Sequence, residues 1–289
     1  MAMNAYPAGA GVLFVVATPI GNPADLSPRA TQVLATADCV VCEDTRRTGA
    51  MLAAHQIRRP MISYFEHNEA RRIPEIVGRL RAGETLAVVT DAGTPAISDP
   101  GYRLVRAALD AGVRVAAVPG PSAAIAALSI AGIPTDRFVF EGFLPPRDAA
   151  RRRRLESLAR EERTLVFYEA GRRLGETIAA MAAAFGELRD AAVIREISKT
   201  YEETIRGALG ELARRFAESA ALGEITIVVA GASEAQGADR SPVTLEMLLA
   251  EGVSLKQASA IIAKLTGRGR REIYQNAIRN REGGDRQDG

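Results

Sequence analysis

Short apolar runs alternate with amphipathic stretches along most of the chain, and this rhythm predicts strands followed by helices. Val12 to Ala17 is an apolar run that ends in Thr18-Pro19-Ile20-Gly21-Asn22. Ser27-Pro28 then supplies an N-cap and a first-turn proline for a helix to about Ala35. Strands are expected at Cys39 to Cys42, Ile62 to Phe65, Leu86 to Thr90 and Val113 to Val118. Helices are expected between them at Thr45 to His55, Pro74 to Arg81 and Tyr102 to Asp110, and from Ser122 to about Ala131. Strands this apolar, separated by helices, indicate a parallel sheet covered on both faces. Ligands of such sheets bind outside the C-terminal ends of the strands.

The pattern restarts after Ile133-Pro134-Thr135. Strands are expected at Phe138 to Phe140, Leu165 to Tyr168, Ala191 to Ile197, Glu203 to Arg206 and Ile225 to Ala230. Helices fall at Arg147 to Glu161, Leu174 to Phe185 and Leu209 to Ala217. The close spacing of the third and fourth strands predicts a hairpin, and hence a mixed sheet. Ser233 to Arg240 reads as a linker. Three short helices follow, at Val243 to Ala250, Leu255 to Leu265 and Arg270 to Arg279, with Ser254 and Gln257 forming a capping box. The expected architecture is two α/β domains, 12–134 with a parallel sheet and 135–232 with a mixed one, plus a helical extension at 241–280. The tails 1–11 and 281–289 are expected to be disordered.

Composition narrows the chemistry. The 289 residues carry 37 basic and 35 acidic side chains, so any polyanion must be met by a local patch. All but three of the basic residues are Arg, the better partner for phosphate and for flat base faces. Two cysteines and two histidines exclude a disulfide scaffold and most zinc modules. Cys39 and Cys42 form a C-x-x-C, but three residues apart on a strand they point to opposite faces, which favours core packing over one shared metal. No metal is expected. No apolar run reaches the roughly 20 residues of a membrane span, and no signal peptide is evident at the N-terminus. A reduced, cytoplasmic setting is expected.

The phosphate-cradling P-loop and the dinucleotide fingerprint G-x-G-x-x-G after a strand are both absent, as is the nucleophile elbow G-x-S-x-G. Three stiff loops remain, each at a strand C-terminus: Thr18 to Asn22, Thr90 to Gly101, and Val118 to Ser122. Their glycines (Gly93, Gly101, Gly120) permit close backbone approach and their prolines fix the chain. Three such loops at one sheet edge favour a ligand cleft over mere tight turns.

The motifs VVATPIGN (15–22), CEDTR (42–46), TDAGTPAISDPG (90–101) and PGPS (119–122) occur in that order. With EGFLP (141–145), FYE (167–169), REISK (195–199), GEI (223–225) and AKLTG (263–267), they resemble the small-subunit ribosomal RNA methyltransferase I family of the tetrapyrrole-methylase superfamily. The resemblance covers about Leu13 to Ile278. It implies ribose 2′-O-methylation of a cytidine in the decoding region of small-subunit ribosomal RNA. It also implies S-adenosyl-L-methionine folded between two α/β domains, a ribosomal RNA or small-subunit partner, and a homodimer. By position it assigns donor contacts to Pro19, Asp91, Gly93, Thr94, Pro95, Ser122, Ala123, Tyr168, Glu169, Ala192 and Thr226. One departure is plain: Ala170-Gly171-Arg172-Arg173-Leu174 stands where the family pattern has Ser-Pro-His-Arg-Leu, so no role of that histidine carries over. A tetrapyrrole or protein side-chain methylase, and a non-catalytic RNA-binding protein, remain as alternatives.

For a base that takes the hydroxyl proton, the candidates are Lys199, His67 and Asp44, with Glu66 beside them. Each has a plainer explanation: an ion pair of Lys199 with Glu196 or Glu202, a capping role for His67, and a helix N-cap for Asp44. For RNA, Arg151, Arg152, Arg153 and Arg154 form one basic run. Lys256, Lys264, Arg268, Arg270 and Arg271 form a second, on helices whose apolar positions (including Ile261, Ile262, Leu265 and Ile273) suit a helical hairpin.

Overall fold

The computed structural model describes residues 11–217, 223–232, 245–266, 269–271, 273–275 and 277. The expected linker at 233–240, the tails apart from Gly11, the start of the helix expected from Val243, and much of the last helix lie outside these residues. The first unit runs β1 (Val12–Val16), α1 (Pro28–Thr36), β2 (Cys39–Cys42), α2 (Thr45–Ala54), β3 (Met61–Ser63), α3 (Glu69–Arg81), β4 (Thr85–Val88), α4 (Tyr102–Asp110), β5 (Arg114–Val118) and α5 (Ala123–Ala131). Its five strands are all parallel, in the order β3-β2-β4-β1-β5. The strands that carry the three stiff loops, β4, β1 and β5, are therefore neighbours. That adjacency makes the loops converge.

Alternation along the strands divides the interior in two. Cys42 packs with Val12, Phe14 and Val40 on one face of the sheet, and Cys39 with Leu13, Val41 and Leu86 on the other. The C-x-x-C is thus core on both sides. Both thiols are buried and free, and burial pushes Cys42 up to about 11. Helix α1 starts as its sequence dictates, with the Ser27 hydroxyl accepting from the Ala30 amide at 3.1 Å. Helix α3 starts five residues before the expected Pro74, which lies inside it. The earlier turn is held by tertiary contacts: Asn68 Oδ1 accepts from the Phe65 amide, and the Tyr64 hydroxyl donates to Glu69 Oε1 at 2.7 Å. These outweigh the proline's missing donor.

The second unit runs β6 (Phe138–Phe143), α6 (Asp148–Leu158), β7 (Thr164–Ala170), α7 (Leu174–Phe185), β8 (Asp190–Arg195), β9 (Glu203–Ala208), α8 (Leu209–Phe216) and β10 (Glu224–Val229). The sheet order is β6-β7-β10-β8-β9. Only β6 and β7 pair in parallel, and β8 and β9 form the expected antiparallel hairpin. Helices α6, α7 and α8 cover one face. The other face is covered by α5: Ala124, Ala127, Leu128 and Ala131 pack on Val166, Ala192, Ile194 and Val228. The last helix before residue 134 thus serves the second sheet, and it couples the two units.

Two further helices, α9 (Leu245–Ala250) and α10 (Leu255–Thr266), pack on one another. The Ser254 hydroxyl accepts from the Gln257 amide, which caps the start of α10, and donates to the Gln257 side-chain oxygen, which in a full capping box would meet the Ser254 amide instead. Ala258, Ile262 and Ile273 are buried, whereas Ile261 and Leu265, expected in the same interior, are exposed. Among the described residues, no helix is long and apolar enough to cross a membrane.

Candidate functional site

The three loops are joined by backbone hydrogen bonds. Thr18 and Gly93 exchange amide-to-carbonyl bonds at 2.9 and 3.1 Å, and the Thr18 hydroxyl donates to the Thr90 carbonyl. The Thr94 hydroxyl donates to the Pro121 carbonyl at 3.3 Å. The loops therefore form one rigid rim, which faces the second unit across a cavity of about 400 Å³. That volume lies within the range of small-molecule sites. Tyr168 and Thr226, opposite one another on β7 and β10, form the far wall.

The floor is acidic. Among the described residues, Glu43, Asp91, Asp99 and Glu224 line the cavity with a single arginine, Arg47. The Asp91 carboxylate accepts from the Asp44 amide and from Arg47 Nη1 at 3.2 Å, which ties it to the start of α2. The Thr90 hydroxyl donates to Glu43 at 3.4 Å. Burial raises the Glu43 carboxyl, and the Asp91 charge adds to this. Asp99 is pushed up to about 6, first by burial and then by the carboxylates of Glu43, Asp91 and Glu224, against a lowering hydrogen bond from Thr90. Asp99 follows two non-glycine residues in the left-handed region, Ala96 (φ 71°) and Ser98 (φ 62°). Strain of this kind persists where the surrounding structure enforces it, and it clusters at functional sites.

Of the eleven positions expected at the donor, eight line this cavity: Asp91, Gly93, Thr94, Ser122, Ala123, Tyr168, Glu169 and Thr226. Pro19, Pro95 and Ala192 do not. Ala192 is fully buried beneath α5, in the apolar layer of the second sheet. Glu169 faces away from the cavity through its side chain. Its carboxylate accepts from the Ala170 amide and the Thr177 hydroxyl, with Arg173 at 3.5 Å, so only its backbone is available to a ligand.

The expected bases fare differently. Lys199 pairs with Glu196 at 3.1 Å and Glu224 at 3.2 Å. Burial pulls its ammonium down, but the two carboxylates outweigh this and raise it, so it stays a cation and acts as a strut. Asp44 is the N-cap of α2: its carboxylate accepts from the Arg46 amide and guanidinium, which hold it well below the usual carboxylate range. His67 is exposed and stands edge-on to Phe65. None of the three, nor the exposed Glu66, lines the cavity. Asp99 was missed because its orientation depends on left-handed Ala96 and Ser98, which their residue types do not announce.

The α6 arginines are largely matched within the chain. Arg151 is only 3% exposed and pairs with Asp148 and Glu176, Arg152 pairs with Asp148, and Arg154 with Glu141. Arg153 is exposed and reaches the Ala149 carbonyl. The sequence suggested a free basic run; folding brings Asp148, Glu176 and Glu141 against it. Lys256, Lys264, Arg270 and Arg271 are exposed, and Arg268 lies outside the described residues.

Comparison with known proteins identifies the family and the fold. Residues 12–213 match the family of Tetrapyrrole (Corrin/Porphyrin) Methylases, and residues 235–281 match the RsmI C-terminal HTH domain. Proteins named ribosomal RNA small subunit methyltransferase I are similar over nearly their whole length. That of Pseudomonas aeruginosa is 48% identical over 93% of this chain and 97% of its own, and that of Xylella fastidiosa 47% identical over 91% and 98%. Among solved structures, a cobalt precorrin-4 methyltransferase superposes with a TM-score of 0.59 at 18% identity, over 78% of this chain and 98% of its own. The uroporphyrin-III C-methyltransferase of Thermus thermophilus, complexed with S-adenosyl homocysteine, gives 0.52 at 21% identity over 75% and 96%. At these identities the solved structures show a shared fold. With its two family matches and near-full-length relatives, the chain belongs to the small-subunit ribosomal RNA methyltransferase I family and carries the tetrapyrrole methylase fold.

Proposed function

We propose that this chain transfers a methyl group from S-adenosyl-L-methionine to the ribose 2′-hydroxyl of a cytidine in the decoding region of small-subunit ribosomal RNA, acting in the cytoplasm. The observation that carries the reading is the cavity between the two units, walled by small residues and backbone and floored by carboxylates. A sulfonium nucleoside needs amides, carbonyls and nearby negative charge rather than a phosphate cradle, and the residues present fit it. Asp91, Gly93, Thr94, Ser122, Ala123, Tyr168 and Thr226 would hold the donor. When bound, it supplies a methyl group on a positively charged sulfur.

The protein's own share is alignment and proton removal. Two rigid walls that orient donor and acceptor can contribute roughly 7–11 kcal/mol. Asp99 sits in the cavity with its carboxyl tuned toward neutrality, and in its ionised form it accepts the proton that the acceptor hydroxyl must lose. A positioned base contributes about 10²–10⁴-fold. The exposed cations of the C-terminal helices, Lys256, Lys264, Arg270 and Arg271, support a phosphate-bearing acceptor; a small tetrapyrrole would leave them without a role. The exposed Ile125 and Ile130 of α5, with β5 at a sheet edge beside them in sequence, support the pairing of two copies.

The test is methyl transfer from labelled S-adenosyl-L-methionine to small ribosomal subunits taken from cells that lack the protein. Modified positions are mapped by resistance of the adjacent linkage to alkaline cleavage. A single resistant cytidine in the decoding region is expected. Incorporation at a base carbon or nitrogen, or none, would overturn the reading.

A further inference from the structure

Two large apolar side chains stand exposed at the mouth of an otherwise recessed cavity: Phe143 at 57% and Ile97 at 46%. They come from different units, and each is held there by unusual backbone. Pairing of β6 with β7 slips by one residue between Phe140 and Gly142, and Gly142 has a φ of +64°. A bulge of this kind re-aims the next side chain. Here it brings Phe143 toward the cavity, where its ring tilts against Tyr168 with centroids 5.6 Å apart. Across the cleft, Ile97 lies between the left-handed residues Ala96 and Ser98. The two segments touch: a Cβ on Gly142 would lie 2.9 Å from the Ser98 hydroxyl. Burying either side chain would be favourable, yet the bulge on one side and the left-handed neighbours on the other hold both at the surface.

Resting on the function proposed above, we infer that Phe143 and Ile97 form the seat for the acceptor's nucleobase, turned out of its stack, with Phe143 as the stacking face. RNA outside a regular helix offers unstacked bases, and an aromatic face with an apolar counterpart is the usual receiver of such a base. The seat lies beside Asp99, two residues from Ile97, so a base held here puts its own ribose next to the proton acceptor. The donor's contacts at Gly93 and Thr226 are buried, unlike the two side chains of the seat. Stacking tolerates any base, so Phe143 supplies hold and orientation rather than discrimination.

The test uses the full chain and small ribosomal subunits from cells that lack it. Phe143→Ala is expected to raise the KM for subunits, or lower kcat/KM, by about 5- to 150-fold. Phe143→Tyr should restore most of this, and Ile97→Ala should have a smaller effect in the same direction. Calorimetric affinity for S-adenosyl-L-methionine should stay within about twofold in all three. An RNA fragment with a fluorescent cytidine analogue at the acceptor should brighten on binding the parent enzyme and not on binding Phe143→Ala. Unchanged kcat/KM would overturn the seat, and so would a loss of donor affinity as large as the loss in kcat/KM, which would give Phe143 to the donor. A parent enzyme that methylates no subunit would instead defeat the function on which the seat rests.

Discussion

The phenol of Tyr168 on β7 accepts a hydrogen bond from the backbone amide of Ala124 at 3.2 Å, so a residue of the second sheet satisfies an open donor at the start of α5. Ser122, the residue in the cap position, makes no side-chain bond to the helix backbone. Tyr168 is also the cavity wall and packs edge-on to Phe140 at 5.0 Å. One side chain thus links the packing of the two units to the shape of the site. Tyr168→Phe keeps the ring and removes only the acceptor. It should cost about 1 kcal/mol, seen as a fall in Tm of about 2–4 °C, together with weaker donor binding by calorimetry. An unchanged Tm would mean that the amide finds water instead.

Two of the three glycines expected to approach a ligand separate into different jobs. Gly93 holds a φ of +84°, and a Cβ there would meet Ile20 at 3.5 Å and the Pro121 carbonyl at 4.0 Å, ordinary contacts at the cavity rim. On Gly120 a Cβ would press on that of Ala17 at 2.9 Å and drive the loop after β5 away from the end of β1. Gly93→Ala is expected to lower donor affinity at least about tenfold, with a backbone cost of about 1–2 kcal/mol. Gly120→Ala should mainly lower Tm. Calorimetry and thermal melts on both variants check this, and the reverse ranking would refute the assignment.

How much of this was legible in the sequence follows from what each feature depends on. The parallel sheet, the three stiff loops and the split of Cys39 and Cys42 between two cores follow from period-two patterning and glycine–proline punctuation, which are local, whereas the convergence of the loops rests on the strand order that makes β4, β1 and β5 neighbours. The seat of α5 on the second sheet was not legible, because an apolar helix shows that it is covered but not by what. Lys199 and Arg151 looked more available as a base and as an RNA contact than they are: Glu196 and Asp148 lie three residues away, but the second partners, Glu224 and Glu176, are 25 residues away in sequence. Asp99 and Phe143 were hidden for a backbone reason: a left-handed Ser98 and a bulge at Gly142 set their directions, and neither is written in residue type alone.

Asp99 gives a pH signature whose sign is fixed. Its carboxyl rises from 3.8 to about 6 on folding, so the folded state holds the proton more tightly than the unfolded one. The associated stability is present in acid and is lost as pH rises through about 6. Asp99→Asn should therefore raise Tm more at pH 8 than at pH 4.5. As the proton acceptor, Asp99 must be ionised, so the single-turnover rate of the parent enzyme should climb with pH through about 6 and level off. The Asn variant should be slower by about 10²–10⁴-fold with a flat profile. A parent profile without that inflection, or a variant of full rate, would remove Asp99 from the chemistry.

Among the described residues, the basic side chains divide by whether folding has already given them a carboxylate partner, and salt dependence reads that division. For every phosphate that a variant no longer neutralises, the slope of log affinity against log salt should flatten by about 0.7–0.9. Replacing Lys256, Lys264, Arg270 and Arg271 together by Gln should weaken RNA binding at low salt and flatten that slope, while Tm and donor affinity stay near the parent values. Arg151→Gln should do the opposite. It leaves Glu176 without its guanidinium, leaves Asp148 with Arg152 alone, and removes a buried side chain that spans α6 and α7, so Tm falls while the salt slope holds. Binding isotherms at several salt concentrations, with melts on the same samples, distinguish the two. If Arg151→Gln flattened the slope and the fourfold variant did not, RNA would have to run along α6 rather than the C-terminal helices.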